Sequence, residues 1–345
     1  ATLDDMGVIR VWSPDGRLFA RGRPPSYRVT LLLFTSNDRL LAWRSDDPFT
    51  MDLRATADST LGATLLLDRS STPALAYSRD HVVTETRVFG DGFNRPEQLV
   101  VLASEDADTV ARIAVPEFTG QLDLAPDGGS LAFERRPGEI AVLELPSARG
   151  VANIPAGAEV YGLSLADGPA AVTTVLRGGV VRLWRLDRGT VREVPVDTTT
   201  RAEEAFLSPA GDHLVIPGGN VVAVHDARTG RPIARLLHDT DVDRIRFAAD
   251  TAILVTIASG RVHIWELDTG RLVAELGGDT YYRDVAFLNH DRDLLTVDAD
   301  GYAVVRVWRT EDVLRAACDQ LDAPLSPAEW AEYLPGEPYR PVCAR

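Results

Sequence analysis

Residue types that could do chemistry are scattered along this chain, and few keep the spacing a reaction needs. Six histidines occur, at 81, 213, 225, 238, 263 and 290, and no two keep metal-ligand spacing on a common helix or strand face. His225 and His263 hold homologous places in a repeat described below, and read as core or sheet-interface residues. No Gly-x-Ser-x-Gly elbow accompanies any of them. Asp123 and Asp284 lie near apolar strands, but no acidic position recurs to build a catalytic cluster. The run Asp239-Thr-Asp-Val-Asp243, with Asp250 beyond it, mimics a calcium loop. Arg244 stands where such a loop needs Gly for its sharp turn, and Ile245-Arg-Phe247 already reads as strand. The run is therefore expected to be a solvated acidic loop. No catalytic residue, metal or cofactor is expected.

Recognition chemistry is better represented. Tyr281, Tyr282 and Arg283 are consecutive just before an apolar strand, and Tyr and Arg are the types that dominate interface energetics. Tyr302, in a turn of the same unit, falls near them. Arg177 and Arg201 occupy equivalent loops. The competing reading is that one of the tyrosines packs inside. Phe93-Asn-Arg-Pro96 sits in an irregular insertion between 88 and 97, which would form a loop.

The net charge of −15 repels phosphate backbones, so nucleic acid is not an expected partner. All 36 basic residues are Arg. A chain without Lys supplies no phosphate-loop, Schiff-base or kinase-type lysine. No run of about 18 apolar residues occurs, so no membrane span or membrane partner is expected. The first residues lack a basic-then-apolar leader, and the chain reads as a cytoplasmic fragment of a longer protein. Cys318 and Cys343 are too few for a disulfide framework. Either they clip the C-terminal tail as one disulfide or they stay reduced, and a cytoplasmic setting favours the thiols.

The elements that must position these residues repeat. Val-Val-Arg-Leu-Trp at 180–184, Arg-Val-His-Ile-Trp at 261–265 and Val-Val-Arg-Val-Trp at 304–308 are variants of one strand. Val-Ile-Arg-Val-Trp at 8–12 is a further copy, and Val-Val-Ala-Val-His at 221–225 a degenerate one. The period is about 41 residues, in the range of stacked supersecondary units. Each unit reads as an apolar strand ending in a Pro/Asp/Gly turn, a second strand, a Gly-bearing turn, the Trp-ended third strand and a fourth strand. Four short antiparallel strands per unit make a propeller blade. Alternation sets Val262 and Ile264 against His263 and Trp265, so both faces of the strand should be buried between neighbours.

These residues resemble the WD-repeat family, through Trp12, Trp184, Trp265, Trp308, the Asp300-Gly301 turn and the Pro-Asp-Gly turn at 126–128. His238 and Asp279 stand near the place of the family's Gly-His pair. The resemblance implies a hydrogen-bonded set of His, Ser/Thr, Asp and Trp within a blade, which the last blade approaches with Thr296, Asp300 and Trp308. The expected fold is all-β, a seven-bladed WD-repeat-like propeller over 1–310, with residues 17–20 closing the last blade and 1–15 left from an upstream propeller. Eight blades is the alternative.

From residue 311 the pattern becomes helical, giving a short C-terminal extension over 311–345 packed on the propeller. Val313, Leu314, Ala317 and Leu321 keep helical spacing. Ser326-Pro-Ala-Glu329 is a capping box, and Trp330 and Tyr333 are expected to dock the second helix. The tail resembles the ending of actinobacterial WD-repeat proteins, in which a propeller follows a STAND-type signalling ATPase. That resemblance implies a non-enzymatic sensor that binds a protein, or a domain of its own parent chain. A channel that binds a small ligand or hydrolyses one is the first alternative, and a rigid oligomerisation scaffold the second.

Overall fold

The computed structural model describes the backbone at residues 2–3, 9–12, 18–21, 29–35, 39–44, 50–55, 61–66 and 76–77. From residue 81 it describes all but 91–92, 104–107, 116–120, 169–170, 188–189, 197–201, 250–251, 279, 289–290, 300–302, 320–325, 334 and 340–345. Among these residues the chain forms eight antiparallel sheets, each a meander of consecutive strands. The first sheet comprises Thr2–Leu3, Ile9–Trp12 and Leu18–Arg21, and the second runs from Val29–Thr35 to Leu61–Leu66. The third runs from Ala76–Tyr77 to Thr109–Ala114, the fourth from Leu122–Leu124 to Arg149–Pro155, and the fifth from Val160–Leu165 to Thr190–Val194. The sixth runs from Phe206–Leu207 to Pro232–Leu237, the seventh from Val242–Phe247 to Arg271–Leu276, and the eighth from Tyr282–Leu288 to Ala303–Val307. Two helices follow, α1 (Thr310–Asp319) and α2 (Pro327–Tyr333).

Consecutive sheets from the third onward bury an apolar layer between them. Val262 and Ile264 pack toward the eighth sheet with Val285 and Leu294. Trp265, on the opposite face of the same strand, packs toward the sixth sheet with Val215, Val222 and Leu236. This is the two-sided burial expected of a strand sandwiched between neighbours. Trp184 and Trp308 likewise face the preceding sheet. Each nearly buried indole contributes on the order of 2–3 kcal/mol.

The ends of the sheets are stitched as well. The Gly179, Gly219 and Gly260 carbonyls, each in a second-to-third-strand turn, accept the N–H groups of Ala202, Val242 and Tyr282 leading into the next sheet. On the first strands, the Asp123 carboxylate accepts the Leu165 N–H at 2.8 Å, and Ser164 Oγ accepts the Leu207 N–H at 3.1 Å. The Thr-Gly turns owe their Gly to close approach: a Cβ at Gly230, where φ is +73°, would lie 1.8 Å from the Pro195 carbonyl oxygen.

Several expectations are corrected. Residues 18–20 do not close the last sheet: Leu18–Arg21 pairs with Ile9–Trp12, with Ala20 opposite Val11. A hairpin across a short connection costs far less closure entropy than pairing with a strand nearly 300 residues away. Ile9–Trp12 also pairs with Thr2–Leu3, so these strands form a sheet of their own. The insertion around 93–96 is no loop, because Phe93–Ala103 continues the ladder against His81–Gly90, with a bulge at Pro96/Gln98 that accommodates the proline.

In α2 the capping box forms, with Glu329 Oε2 accepting the Ser326 N–H at 2.8 Å. Trp330 is buried and donates to the Glu337 carbonyl at 3.1 Å. Tyr333 does not dock; the last residue of α2, one turn beyond Trp330, it is 67 % exposed. Val313 and Leu314 are exposed too, and α1 is instead tied to the eighth sheet by Asp312, which pairs with Arg292 at 3.0 Å. Cys318 is disulfide-bonded, so it is not the reduced thiol favoured above; Cys343 lies outside the described residues. Among the described residues no helix is long and apolar enough to cross a membrane.

Candidate functional site

The site is built where the sixth, seventh and eighth sheets meet. The loop after Pro232–Leu237 supplies Thr240 and Asp241, the first strand of the seventh sheet supplies Asp243, its second-to-third-strand turn supplies Ser259, and the segment before Tyr282–Leu288 supplies Tyr281. Together they line an open cleft. Tyr281 is held from both sides through its neighbours' backbone: the Tyr282 N–H donates to the Gly260 carbonyl and the Ala299 N–H to the Tyr281 carbonyl, each at 2.8 Å. The ring is nevertheless 52 % exposed. Gly260 makes this arrangement possible, with φ at +72° and no side chain beneath the ring.

Strand alternation divides the Tyr-Tyr-Arg run. Tyr281 and Arg283 are exposed, while Tyr282 is buried among Val285, Leu294 and Trp308. The Arg306 guanidinium lies 5.7 Å from the centre of the Tyr282 ring. Tyr282 is thus the tyrosine that packs inside. Arg177 stands on the equivalent edge of the fifth sheet, where it is exposed and pairs with Glu159 at 3.6 Å. Tyr302 and Arg201 lie outside the described residues, and the described backbone of Trp12 belongs to the first sheet.

A buried polar set adjoins the cleft. His238 Nε2 lies 2.7 Å from Thr256 Oγ1, and the Trp265 indole N–H donates to the same oxygen at 2.9 Å. His263 completes the cluster, edge-on to His238 at 5.0 Å between centroids. Burial, reinforced for His238 by the neighbouring His263, holds both imidazoles below the ordinary range. The set was expected in the eighth sheet. There Thr296 accepts from Arg306 Nε at 3.2 Å, and the Trp308 N–H donates to the Asp291 carbonyl at 3.1 Å; Asp300 lies outside the described residues. The cause is register. Thr256 stands opposite His263, two residues before Trp265, whereas Thr296 stands opposite Val304, four residues before Trp308. The fifth sheet keeps the favourable offset, and the Trp184 N–H donates to Thr174 Oγ1 at 3.1 Å.

Asp123 and Asp284 belong to different sheets. Burial pushes the Asp123 carboxyl up to about 7, against the N–H groups of Leu165 and Leu124 that pull it down. Asp284 belongs to the eighth sheet and pairs with Arg246 at 3.2 Å. Among the described residues no group of three or more His, Cys, Asp or Glu side chains gathers as a metal site. Within the run 239–243, Asp241 and Asp243 line the cleft, a role hidden from sequence because it depends on Tyr281 arriving beside them.

No family model matches the chain, and no curated protein does. Among solved structures, BamB from Moraxella catarrhalis superposes with a TM-score of 0.56 at 14 % identity, covering 90 % of this chain and 91 % of BamB. The computationally designed Ika8 protein superposes with a TM-score of 0.52 at 15 % identity, covering 84 % of this chain and 99 % of Ika8. At such identities the likeness speaks for the fold alone. BamB is a β-propeller, and the chain's meandering antiparallel sheets support a propeller-like fold.

Proposed function

We propose that the chain is an eight-bladed, WD-repeat-type propeller that binds protein and is not an enzyme, and that the turn face around Tyr281 is its docking surface. The observation that carries this reading is the exposed Tyr281, whose backbone is held by hydrogen bonds on both sides. A half-exposed tyrosine on a held backbone offers contact area at reduced entropic cost on binding. Asp241 and Asp243 give the cleft a polar rim, and Arg283 adds a donor on the adjoining strand.

The partner in this reading is another protein, or an element of the parent chain. The setting is the sensor module of a cytoplasmic bacterial signalling or defence protein of the STAND ATPase type. Occupancy of this face would bias the parent between resting and active states. The net charge of −15 works against nucleic acid. Asp123 supports the non-enzymatic reading, because its carboxylate is engaged in joining the first strands of two sheets.

The test is co-purification from the native cell with wild-type and Tyr281→Ala chains, their folds matched by circular dichroism. A specific protein retained by the wild type and lost with the variant supports the reading. Equal retention by both overturns the assignment of this face, and the absence of any specific protein overturns the binding function.

A further inference from the structure

His238 belongs to two sheets at once. Its N–H donates to the Asn220 carbonyl at 2.9 Å, and its carbonyl accepts from Asn220 Nδ2 at 3.1 Å, which ties its backbone to the sixth sheet. Its ring reaches Thr256 of the seventh. An indole N–H can only donate, so Trp265 uses Thr256 as an acceptor, and the hydroxyl keeps a proton that it can give to His238 Nε2. In that tautomer Nε2 is unprotonated and the imidazole is neutral. Among the described residues the buried Nδ1 atoms of His238 and His263 meet no hydrogen-bond partner, and His238 is only 6 % exposed.

The carboxylates facing the pair pull toward the cation, and burial outweighs them. Asp239 lies near both rings, and Glu275 and Arg261 lie near His263. Arg261 and Glu275 are occupied with each other at 2.7 Å. One carboxylate therefore faces two rings whose centres are 5.0 Å apart.

We propose that the His238–His263 pair is a proton-sensitive rivet: neutral, it holds the sixth and seventh sheets and the 239–243 segment in place, and protonated, it lets that segment go. A proton on His238 Nε2 removes the acceptor for the Thr256 hydroxyl, and two protonated rings repel each other. The segment leaves His238 directly, carries Thr240 and Asp241 to the cleft and runs into the strand that bears Asp243, so acid loosens the wall opposite Tyr281. The rivet stands on its own geometry, whether or not the cleft binds a partner.

The test is an NMR titration of the imidazoles in the full chain, paired with hydrogen exchange of the 239–243 amides corrected for intrinsic rate. Both rings should still be predominantly neutral at pH 6.5, where an ordinary histidine is half protonated. Exchange should accelerate about tenfold from about pH 7.5 to about pH 5.5 in the wild type. In His238→Gln, whose amide oxygen can still accept from the Thr256 hydroxyl but takes no proton in this range, acceleration should shrink to about twofold or less. A ring half protonated at or above pH 6.5, an unchanged wild-type segment, or equal acceleration in both chains overturns the proposal. The wild-type titration decides the matter even if the variant fails to fold.

Discussion

The Tyr281 ring lies against Gly260 so closely that a Cβ on that glycine would sit 2.3 Å from Tyr281 Cδ2. Gly260 also has φ at +72°, which an L side chain seldom adopts. Gly260→Ala should therefore displace the Tyr281 ring and destabilise the chain by about 1–3 kcal/mol. Tyr281→Ala should cost less than about 1 kcal/mol, since the ring is half exposed. Urea unfolding of the two variants measures the difference, and equal costs would show that the ring and the glycine are not coupled.

Thr256 is the shared oxygen of the buried set. Thr256→Val strands the Trp265 N–H and removes the partner of His238, and should cost about 2–4 kcal/mol. Thr256→Ser should recover most of that. Thr174→Val, which strands one indole N–H, should cost about 1–2 kcal/mol. Thr296→Val should cost the least, because its donor Arg306 can turn to solvent. Denaturation midpoints should fall in that order.

That ordering also marks how far the sequence is legible. The Trp-ended strands are visible because a strand's alternation and a period of about 41 residues survive in the residues themselves. The register that pairs a Thr with a Trp does not, because it depends on turn length. Ala258 pairs with Arg261 across a tight turn, while Val297 pairs with Ala303 across a longer one, and the extra residues carry Trp308 past Thr296. The cleft is hidden for a related reason: Asp241, Ser259 and Tyr281 come from three segments that only sheet stacking brings together. The placing of residues 17–20 in the last sheet failed because the end of a repeat array carries no mark of which strand it pairs with.

Asp123 makes stability depend on pH. Its carboxyl is raised from 3.8 to about 7 in the folded chain, so between those values the folded state holds the proton and the unfolded state does not. Stability from this group is full below about pH 4, falls as pH rises, and is lost above about pH 7. Asp123→Asn keeps an acceptor for the Leu165 N–H. It should remove that slope and stabilise the chain at pH 8 by about 2 kcal/mol, a figure discounted for the half-buried setting. Thermal unfolding across the range checks the sign, and a variant less stable at pH 8 would contradict it.

Cys318 should not react with iodoacetamide in the native chain prepared without reductant, and should react after reduction, since it is disulfide-bonded. Mass spectrometry of the peptide containing α1 reads the outcome. The same measurement on cells quenched in acid tests the proposed cytoplasmic setting, where a persistent disulfide would be exceptional.

The central claim is that the turn face around Tyr281 receives a protein. A photocrosslinking amino acid at position 281 of the full parent protein, with a control at exposed Arg228 in a third-to-fourth-strand turn at the opposite ends of the strands, tests it most directly. Crosslinks to one defined protein segment from position 281, and none from 228, are the predicted result. No protein adduct at 281, or the same adducts at both positions, would contradict the account.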